Sequence, residues 1–192
     1  MANREIGIYI HIPFCKSKCL YCDFPSYAGA EGEMESYLEA LLQEMDIEKD
    51  HIYDSKIKTI YIGGGTPTYF KTDYIGEILY KCYELFDVGK DAEITIEANP
   101  GTLDREKLMD LREYGINRLS MGLQAWQSRH LKALGRTHDS NKVREEVISA
   151  KAIGFGNISV DLMFGLPSQT MDEWMETLEN VCSLDVEHIS AY

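Results

Sequence analysis

The sequence predicts an α/β protein built around a parallel β-sheet. Six short runs are rich in Ile, Val and Tyr, as β-strands are, and stretches with helical spacing of apolar residues separate them. The strand-like runs are almost continuously apolar, which is typical of parallel strands covered by helices. Alternating strands and helices imply right-handed crossovers, and both an open doubly wound sheet and a closed barrel fit this pattern.

The predicted strands and helices alternate along the whole chain. The six strands cover residues 6–12, 58–62, 93–98, 118–123, 159–164 and 188–192. Apolar stripes predict helices within residues 37–45 and 75–85, and further helices are predicted at residues 103–114, 139–153 and 171–182. Gly115 and Gly154 stand where a left-handed residue would end a helix, and Thr170 and Glu173 have the spacing of a capping box.

Length and composition indicate one globular domain over residues 1–192. The chain is 44% hydrophobic and 27% charged, which is ordinary for a globular protein. No apolar run approaches the length of about 20 residues that a membrane span needs, so we expect no transmembrane segment. With 19 Lys and Arg against 32 Asp and Glu, the net charge of -13 disfavours a nucleic-acid partner.

The cysteines indicate a reducing compartment. The chain has five cysteines, an odd number, and its N-terminus lacks a signal-peptide pattern, so we expect a cytoplasmic protein without disulfides. Cys82 and Cys182 fall on apolar stripes of predicted helices, where free cysteine usually behaves as a small buried hydrophobic residue. We assign no chemistry to these two residues.

Three cysteines on one short segment after the first strand have the spacing of metal-cluster ligands. Cys15, Cys19 and Cys22 form a C-x3-C-x2-C pattern. Three thiolates can bind three irons of a cubane cluster and leave the fourth iron open to a ligand. The alternative is a zinc ion bound by the same thiolates and His11, which is disfavoured because His11 lies in the strand.

Glycines and an acid follow the carboxyl ends of the second and third strands, where α/β proteins bind their ligands. The second strand runs into Gly63, Gly64, Gly65 and Thr66, and adjacent glycines let a ligand approach the backbone and expose main-chain groups to it. Glu97 ends the third strand. Its carboxylate is placed to bind a ribose hydroxyl or an ammonium group.

Three further side chains complete this candidate site. Gln124 follows the fourth strand, Asp161 lies among apolar residues in the fifth, and Arg136 precedes the fourth predicted helix. The Arg136 guanidinium is suited to a carboxylate, either on a ligand or on a side chain such as Asp161. Together these residues predict a site for a small zwitterionic nucleoside at one face of the sheet.

The motifs around these residues closely resemble those of the oxygen-independent coproporphyrinogen III oxidase-like family of radical S-adenosylmethionine proteins. They are Y-x-H-I-P-F-C at residues 9–15, G-G-G-T-P at 63–67, E-x-N-P at 97–100, S-M-G-L-Q at 120–124 and D-L-M-F-G-L-P at 161–167. The resemblance covers the entire chain. It implies a parallel six-stranded partial (βα)6 barrel.

The resemblance also implies roles for the candidate residues. Cys15, Cys19 and Cys22 would bind a 4Fe-4S cluster, whose open iron takes the amino and carboxylate groups of S-adenosylmethionine (SAM). The residues around SAM would be Tyr9 over the cluster, Tyr21 against the adenine, Gly64, Gly65 and Thr66 along the methionine moiety, and Glu97, Gln124, Arg136 and Asp161 in the rest of the pocket.

Two departures from the family's enzymes favour its other branch. The true coproporphyrinogen dehydrogenases have a fourth cysteine two residues after the third, where this chain has Phe24, and an N-terminal extension that is missing here. The resemblance therefore implies a heme chaperone, which binds heme as cargo and delivers it to apo-proteins such as membrane respiratory enzymes. The family's C-terminal region, with its His-containing heme-binding motif, is absent from this sequence, so we assign heme to no residue.

Three functions stay open at this point. They are a heme chaperone linked to porphyrin metabolism, a dehydrogenase that decarboxylates a porphyrinogen oxidatively by radical chemistry, and a zinc-stabilised fold without a redox role. Phe24 favours the chaperone over the enzyme, although an ordinary aromatic core residue would also account for it.

Overall fold

Six strands form one parallel sheet in a computed structural model of the chain, which describes residues 4–192. The strands are β1 (Arg4–Ile12), β2 (Ser55–Gly64), β3 (Asp87–Ala98), β4 (Arg118–Gln124), β5 (Ile158–Leu162) and β6 (His188–Ala191). They lie in the sheet in the order of the chain, and every neighbouring pair is parallel. Because β1 and β6 are its two edges, the sheet is open, as a partial barrel is.

Within residues 4–192, six α-helices connect the strands. They are α1 (Met34–Glu48), α2 (Thr72–Leu85), α3 (Arg105–Glu113), α4 (Ser128–Ala133), α5 (Ser140–Ile153) and α6 (Met171–Cys182). α4 and α5 share the connection between β4 and β5, and each of the others fills one connection alone. The sequence did not predict α4, because its six residues are too few to show a helical period. None of the helices in this part of the chain is long and apolar enough to span a membrane.

The two faces of the sheet differ in chemistry. One face carries the apolar core, which includes Ile10, Ile60, Ile96 and Val160. The alternate side chains of the same strands are polar, and they include Tyr61, Glu97, Ser120 and Asp161. The expectation of almost continuously apolar strands is therefore wrong for one face. Because the sheet does not close on itself, side chains do not fill this face, and polar groups reach solvent there.

The predicted helix ends are confirmed, and one cysteine prediction is wrong. Gly115 and Gly154 have φ angles of 102° and 104°, in the left-handed region that favours glycine. Cys82 is fully buried, and burial raises the pKa of its thiol to about 12. Cys182 is exposed. It follows the buried Val181 by one position, which turns its side chain by about 100° around the helix and away from the core.

The first prediction concerns the capping box at the start of α6. The Thr170 hydroxyl accepts from the Glu173 N–H at 3.3 Å, and the Glu173 carboxylate accepts from the Thr170 N–H at 2.9 Å. Thr170→Ala removes one of these bonds and is expected to lower the free energy of unfolding by about 1 kcal/mol in urea denaturation. Thr170→Ser keeps a hydroxyl and is the control. An equal loss in both variants would contradict the capping role.

Candidate functional site

A cleft of about 450 Å³ opens on the polar face, at the carboxyl ends of the strands. This volume is within the range of about 300–1,000 Å³ that is usual for ligand pockets. The predicted site residues that line it are Cys15, Cys19, Tyr21, Cys22, Gly64, Gly65, Thr66, Glu97, Gln124, Arg136 and Asp161. The structure therefore brings together all of the predicted site residues except Tyr9.

The segment with the three cysteines is tied to the end of β1 by hydrogen bonds at its far end. The Tyr27 N–H donates to the Pro13 carbonyl at 2.7 Å. The Lys18 ammonium donates to the Phe24 carbonyl at 2.6 Å and to the Ser26 hydroxyl at 2.9 Å. These bonds close the segment into a loop, and its cysteines line the cleft.

His11 helps to hold this loop and has no ring nitrogen free for a metal. Its Nε2 lies 2.8 Å from the Pro25 carbonyl oxygen and its Nδ1 lies 2.9 Å from the Tyr9 hydroxyl. A carbonyl only accepts hydrogen bonds, so we assign the proton to Nε2, and Nδ1 then accepts from Tyr9. Because both nitrogens are engaged, His11 is not the fourth ligand of a zinc site in this structure.

Tyr9 lies beside the cleft rather than in its lining. Its side chain is 59% exposed, and its ring stacks on Tyr61 with 6.2 Å between the ring centroids. Through its hydroxyl it orients His11, which bonds to the loop. Its position over a cluster stays a prediction.

The three thiols of the loop do not form a site for a single metal ion within the described residues. Between residues 4 and 192, no three His, Cys, Asp or Glu side chains are close enough to bind one metal ion. The thiolates of a cubane cluster bind different irons and need not converge on one point. Cys15 is buried, with its Sγ 3.5 Å from the Thr66 Oγ1, while Cys19 and Cys22 are half-buried. Burial raises the pKa of the Cys19 thiol, and the charge of Arg136 acts against this shift.

The glycine turn at the end of β2, formed by Gly64, Gly65 and Thr66, donates its N–H groups to acceptors within the protein. The Gly64 N–H donates to the Glu97 carboxylate at 3.0 Å, and the Gly65 N–H donates to the Ile12 carbonyl at 2.8 Å. The Thr66 N–H donates to the Phe14 carbonyl at 2.9 Å. The expectation that these N–H groups are exposed for a ligand is therefore wrong, because the end of β1, the loop after it and Glu97 already accept from them.

Close packing explains why glycines are needed here. A Cβ on Gly65 would lie 2.8 Å from the Phe14 carbonyl oxygen and 3.0 Å from the Cys15 Sγ. A Cβ on Gly64 would lie 2.7 Å from the His11 ring, and its φ of 118° also disfavours other residues. The turn therefore lets the end of β2 touch the cysteine loop directly.

A chain of polar contacts links Arg136 to the cysteine loop. The guanidinium donates to the side-chain Oδ1 of Asn99 at 2.5 Å and to the Tyr21 hydroxyl at 2.6 Å. The Asn99 amide donates to the Thr66 hydroxyl at 2.8 Å, beside Cys15. The alternative in which Arg136 pairs with Asp161 is wrong. Arg136 Nε is buried without a partner among the described residues, which leaves a donor available beside the cleft.

Two half-buried carboxyl groups, Glu97 and Asp161, line the polar face. Burial raises the pKa of Glu97, although the Tyr61 hydroxyl donates to it at 2.8 Å. Burial also raises the pKa of Asp161, which interacts with Ser190 and with the nearby charge of Arg118. Tyr61, Asn99 and Arg118 were not among the predicted site residues. The polar residues that interrupt the apolar strands at alternate positions are the signal that could have found Tyr61 and Arg118.

Phe24 is not a core residue. Its side chain is 68% exposed and lines the cleft near Cys22. The expectation of an ordinary buried aromatic residue is wrong because the loop after Cys22 turns back toward β1 at the surface, where its neighbours are mostly exposed. An exposed aromatic ring therefore stands at residue 24, where the resemblance led us to compare this chain with the dehydrogenases.

An open parallel sheet with a three-cysteine loop at its carboxyl edge is the arrangement of radical SAM proteins, and the comparison with family models agrees. The model of the radical SAM superfamily matches residues 9–181. The chain belongs to this superfamily, and its cofactors are a 4Fe-4S cluster and SAM. The thiols, the acids and the unpartnered Arg136 donor around the cleft fit these two groups.

More particularly, the chain is similar to proteins named heme chaperone HemW. It is 42% identical over 185 residues to the one from Bacillus subtilis, and this alignment covers 96% of this chain and 49% of that protein. It is 36% identical over 189 residues to the one from Escherichia coli, and this alignment covers 97% of this chain and 50% of that protein. The chain thus spans about half the length of the curated relatives it matches.

A solved structure confirms the predicted fold class. The chain matches coproporphyrinogen III oxidase (HemN) from Escherichia coli, described as a radical SAM enzyme, with a TM-score of 0.92 and 32% sequence identity. The match covers 99% of this chain and 44% of that protein. The fold is the six-stranded partial barrel of the radical SAM type.

The second prediction tests the contact between the glycine turn and the cysteine loop. Gly65→Ala places a methyl group against the Phe14 carbonyl and Cys15 Sγ, so we expect most of the iron and sulfide to be lost after anaerobic reconstitution. Gly156→Ala is the control, because a Cβ there meets nothing within 4 Å. Full iron content in the Gly65 variant would show that the contact does not position Cys15.

Proposed function

We propose that this chain is the radical SAM part of a heme chaperone, in which a 4Fe-4S cluster and SAM support the delivery of heme to apo-proteins. The observation that carries this proposal is the match of nearly the whole chain to proteins named heme chaperone, at 31% to 42% identity. Its heme-accepting partners are apo-proteins, including membrane respiratory enzymes, and its location is the cytoplasm. Residues 1–192 act as one domain.

In this proposal the cluster is bound where the cysteine loop lines the cleft, by Cys15, Cys19 and Cys22. Soft thiolates suit iron, and three of them leave one iron open to chelate SAM. The contact of Cys15 with Thr66 and the bond of Tyr21 to Arg136 support this assignment, because they orient the loop toward the cleft.

SAM is assigned to the cleft beside the cluster. Glu97 and Asp161 are partly desolvated carboxyl groups, which gain from an ammonium group or from ribose hydroxyls as partners. The charge of Arg136 attracts the carboxylate of SAM. The other proposed contacts with SAM are Tyr9, Tyr21, Gly64, Gly65, Thr66 and Gln124.

A radical enzyme acting on a porphyrinogen is the second candidate function. It is favoured by the close structural match to coproporphyrinogen III oxidase. Phe24 is the observation against it, because its exposed ring lines the cleft where the related dehydrogenases carry a fourth thiol. We therefore expect heme binding and transfer rather than turnover of coproporphyrinogen III.

The third prediction concerns the cluster ligands. Cys19→Ser is expected to abolish cluster retention, because a hard serine oxygen binds iron poorly and two thiolates are too few. Broad visible absorption and iron analysis of anaerobically reconstituted protein would measure this. Cys182→Ser is the matched control, since Cys182 is exposed and lies outside the cleft. Full iron content in the Cys19 variant would overturn the ligand assignment.

The fourth prediction separates the two functions and uses the full-length parent of this chain. With cluster, SAM and a reductant present, coproporphyrinogen III is expected to remain unconverted, while added heme binds and moves to an apo-heme protein. Absorption spectra measure heme, and chromatography of the porphyrin products measures turnover. Product formation at about 1 per second or faster, within the usual range of enzymes, would support the enzyme instead.

A further inference from the structure

Gln124 lies in a strained turn at the end of β4. Its φ is 70°, in the left-handed region, and it is the last residue of the strand. The Ala125 N–H donates to the Leu123 carbonyl at 2.9 Å, across a single residue. A positive φ combined with such a bond describes a γ-turn of the rare, strained kind. Strain of this sort persists only where surrounding contacts enforce it.

The turn determines where the Gln124 amide points. The pairing of β4 with β5 shifts register between Gly122 and Gln124, so Leu123 is an extra residue in β4. Such bulges redirect a side chain, and here the Gln124 side chain lines the cleft although the residue is only 8% exposed. A Cβ on Gly122 would lie 2.9 Å from the Gln124 amide nitrogen and 3.2 Å from Arg136. Glycine at 122 therefore leaves room for this amide beside Arg136.

Two contacts hold the turn from outside. The Met163 N–H donates to the Gln124 carbonyl at 2.8 Å, which is a backbone contact that any residue at 163 other than proline can make. The second contact comes from a side chain, because His138 Nε2 lies 3.3 Å from the Leu123 carbonyl oxygen. Since the carbonyl only accepts, Nε2 carries the proton and donates it.

His138 is suited to this contact as a neutral donor. Burial and the nearby charge of Arg136 lower its pKa to about 4, so the ring is uncharged near neutral pH. It follows Arg136 by two residues in the loop before α5. This loop therefore holds Asn99 and Tyr21 through Arg136 and holds the γ-turn through His138.

We propose that His138 is a positioning residue, which fixes the γ-turn at Leu123 and Gln124 and thereby aims the Gln124 amide at SAM. The inference rests on the proposed function, because SAM in the cleft is the ligand whose binding His138 would govern. His138 itself touches neither the cluster nor the cofactor in this assignment. His138 affects SAM binding only indirectly. Its hydrogen bond to the Leu123 carbonyl fixes the turn, and the turn orients Gln124.

The test compares variants at His138 by calorimetric titration of SAM into reconstituted protein. His138→Phe keeps a ring and removes the N–H donor, and it is expected to weaken SAM binding about tenfold. His138→Gln supplies an uncharged N–H at a similar reach and is expected to bind within about threefold of the unmodified chain. Iron content should be unchanged in both. Equal affinity in the Phe variant, or no rescue by Gln, would overturn the inference.

A double-variant cycle checks that His138 acts through Gln124. Gln124→Ala is expected to weaken SAM binding about tenfold, and adding His138→Phe to it should cause no further loss. If the fold loss of SAM affinity in the double variant equals the product of the two single losses, His138 acts independently of Gln124 and the inference is wrong. If His138→Phe loses its cluster, His138→Leu replaces it as a smaller side chain without a donor. Failure of the unmodified chain to bind SAM would refute the proposed function itself, which is a different result from unchanged binding in the His138 variants.

Discussion

The glycine turn at the end of β2 packs directly against the cysteine loop, and this contact fixes the geometry of the site. Gly65 leaves no room for a Cβ beside the Phe14 carbonyl and the Cys15 Sγ. The N–H of Gly65 bonds back to the end of β1, and the N–H of Gly64 bonds to Glu97 on β3. One tight turn therefore sets the distance between the cysteines and the acid of the cleft.

The open sheet makes a polar cleft possible at the centre of the fold. In a closed barrel, side chains from all strands fill the interior as a packed core. Here the sheet is open, with β1 and β6 as its two edge strands. The face without helices carries hydroxyl, carboxyl and guanidinium groups. Desolvation of these groups is costly, as the raised pKa values of Glu97 and Asp161 show. A ligand with complementary polar groups offsets that cost.

The superfamily's fold does not by itself separate a heme chaperone from a porphyrinogen dehydrogenase, because the same partial barrel serves both. One side chain that lines the cleft bears on this difference. Phe24 presents an exposed ring beside Cys22, at a position where a thiol would change the chemistry available to a substrate.

Residue patterns alone predicted the strands, the helices other than α4, the cap residues and the spacing of the three cysteines. These features depend on local spacing, which short segments such as residues 9–22 and 170–173 contain completely. The partners of Arg136, the exposure of Phe24 and the use of the glycine N–H groups became visible only in the folded chain. Each of these depends on segments far apart in the chain, as when Arg136 meets Asn99 and Tyr21. Packing between distant elements leaves no local pattern, so residue spacing could not reveal it.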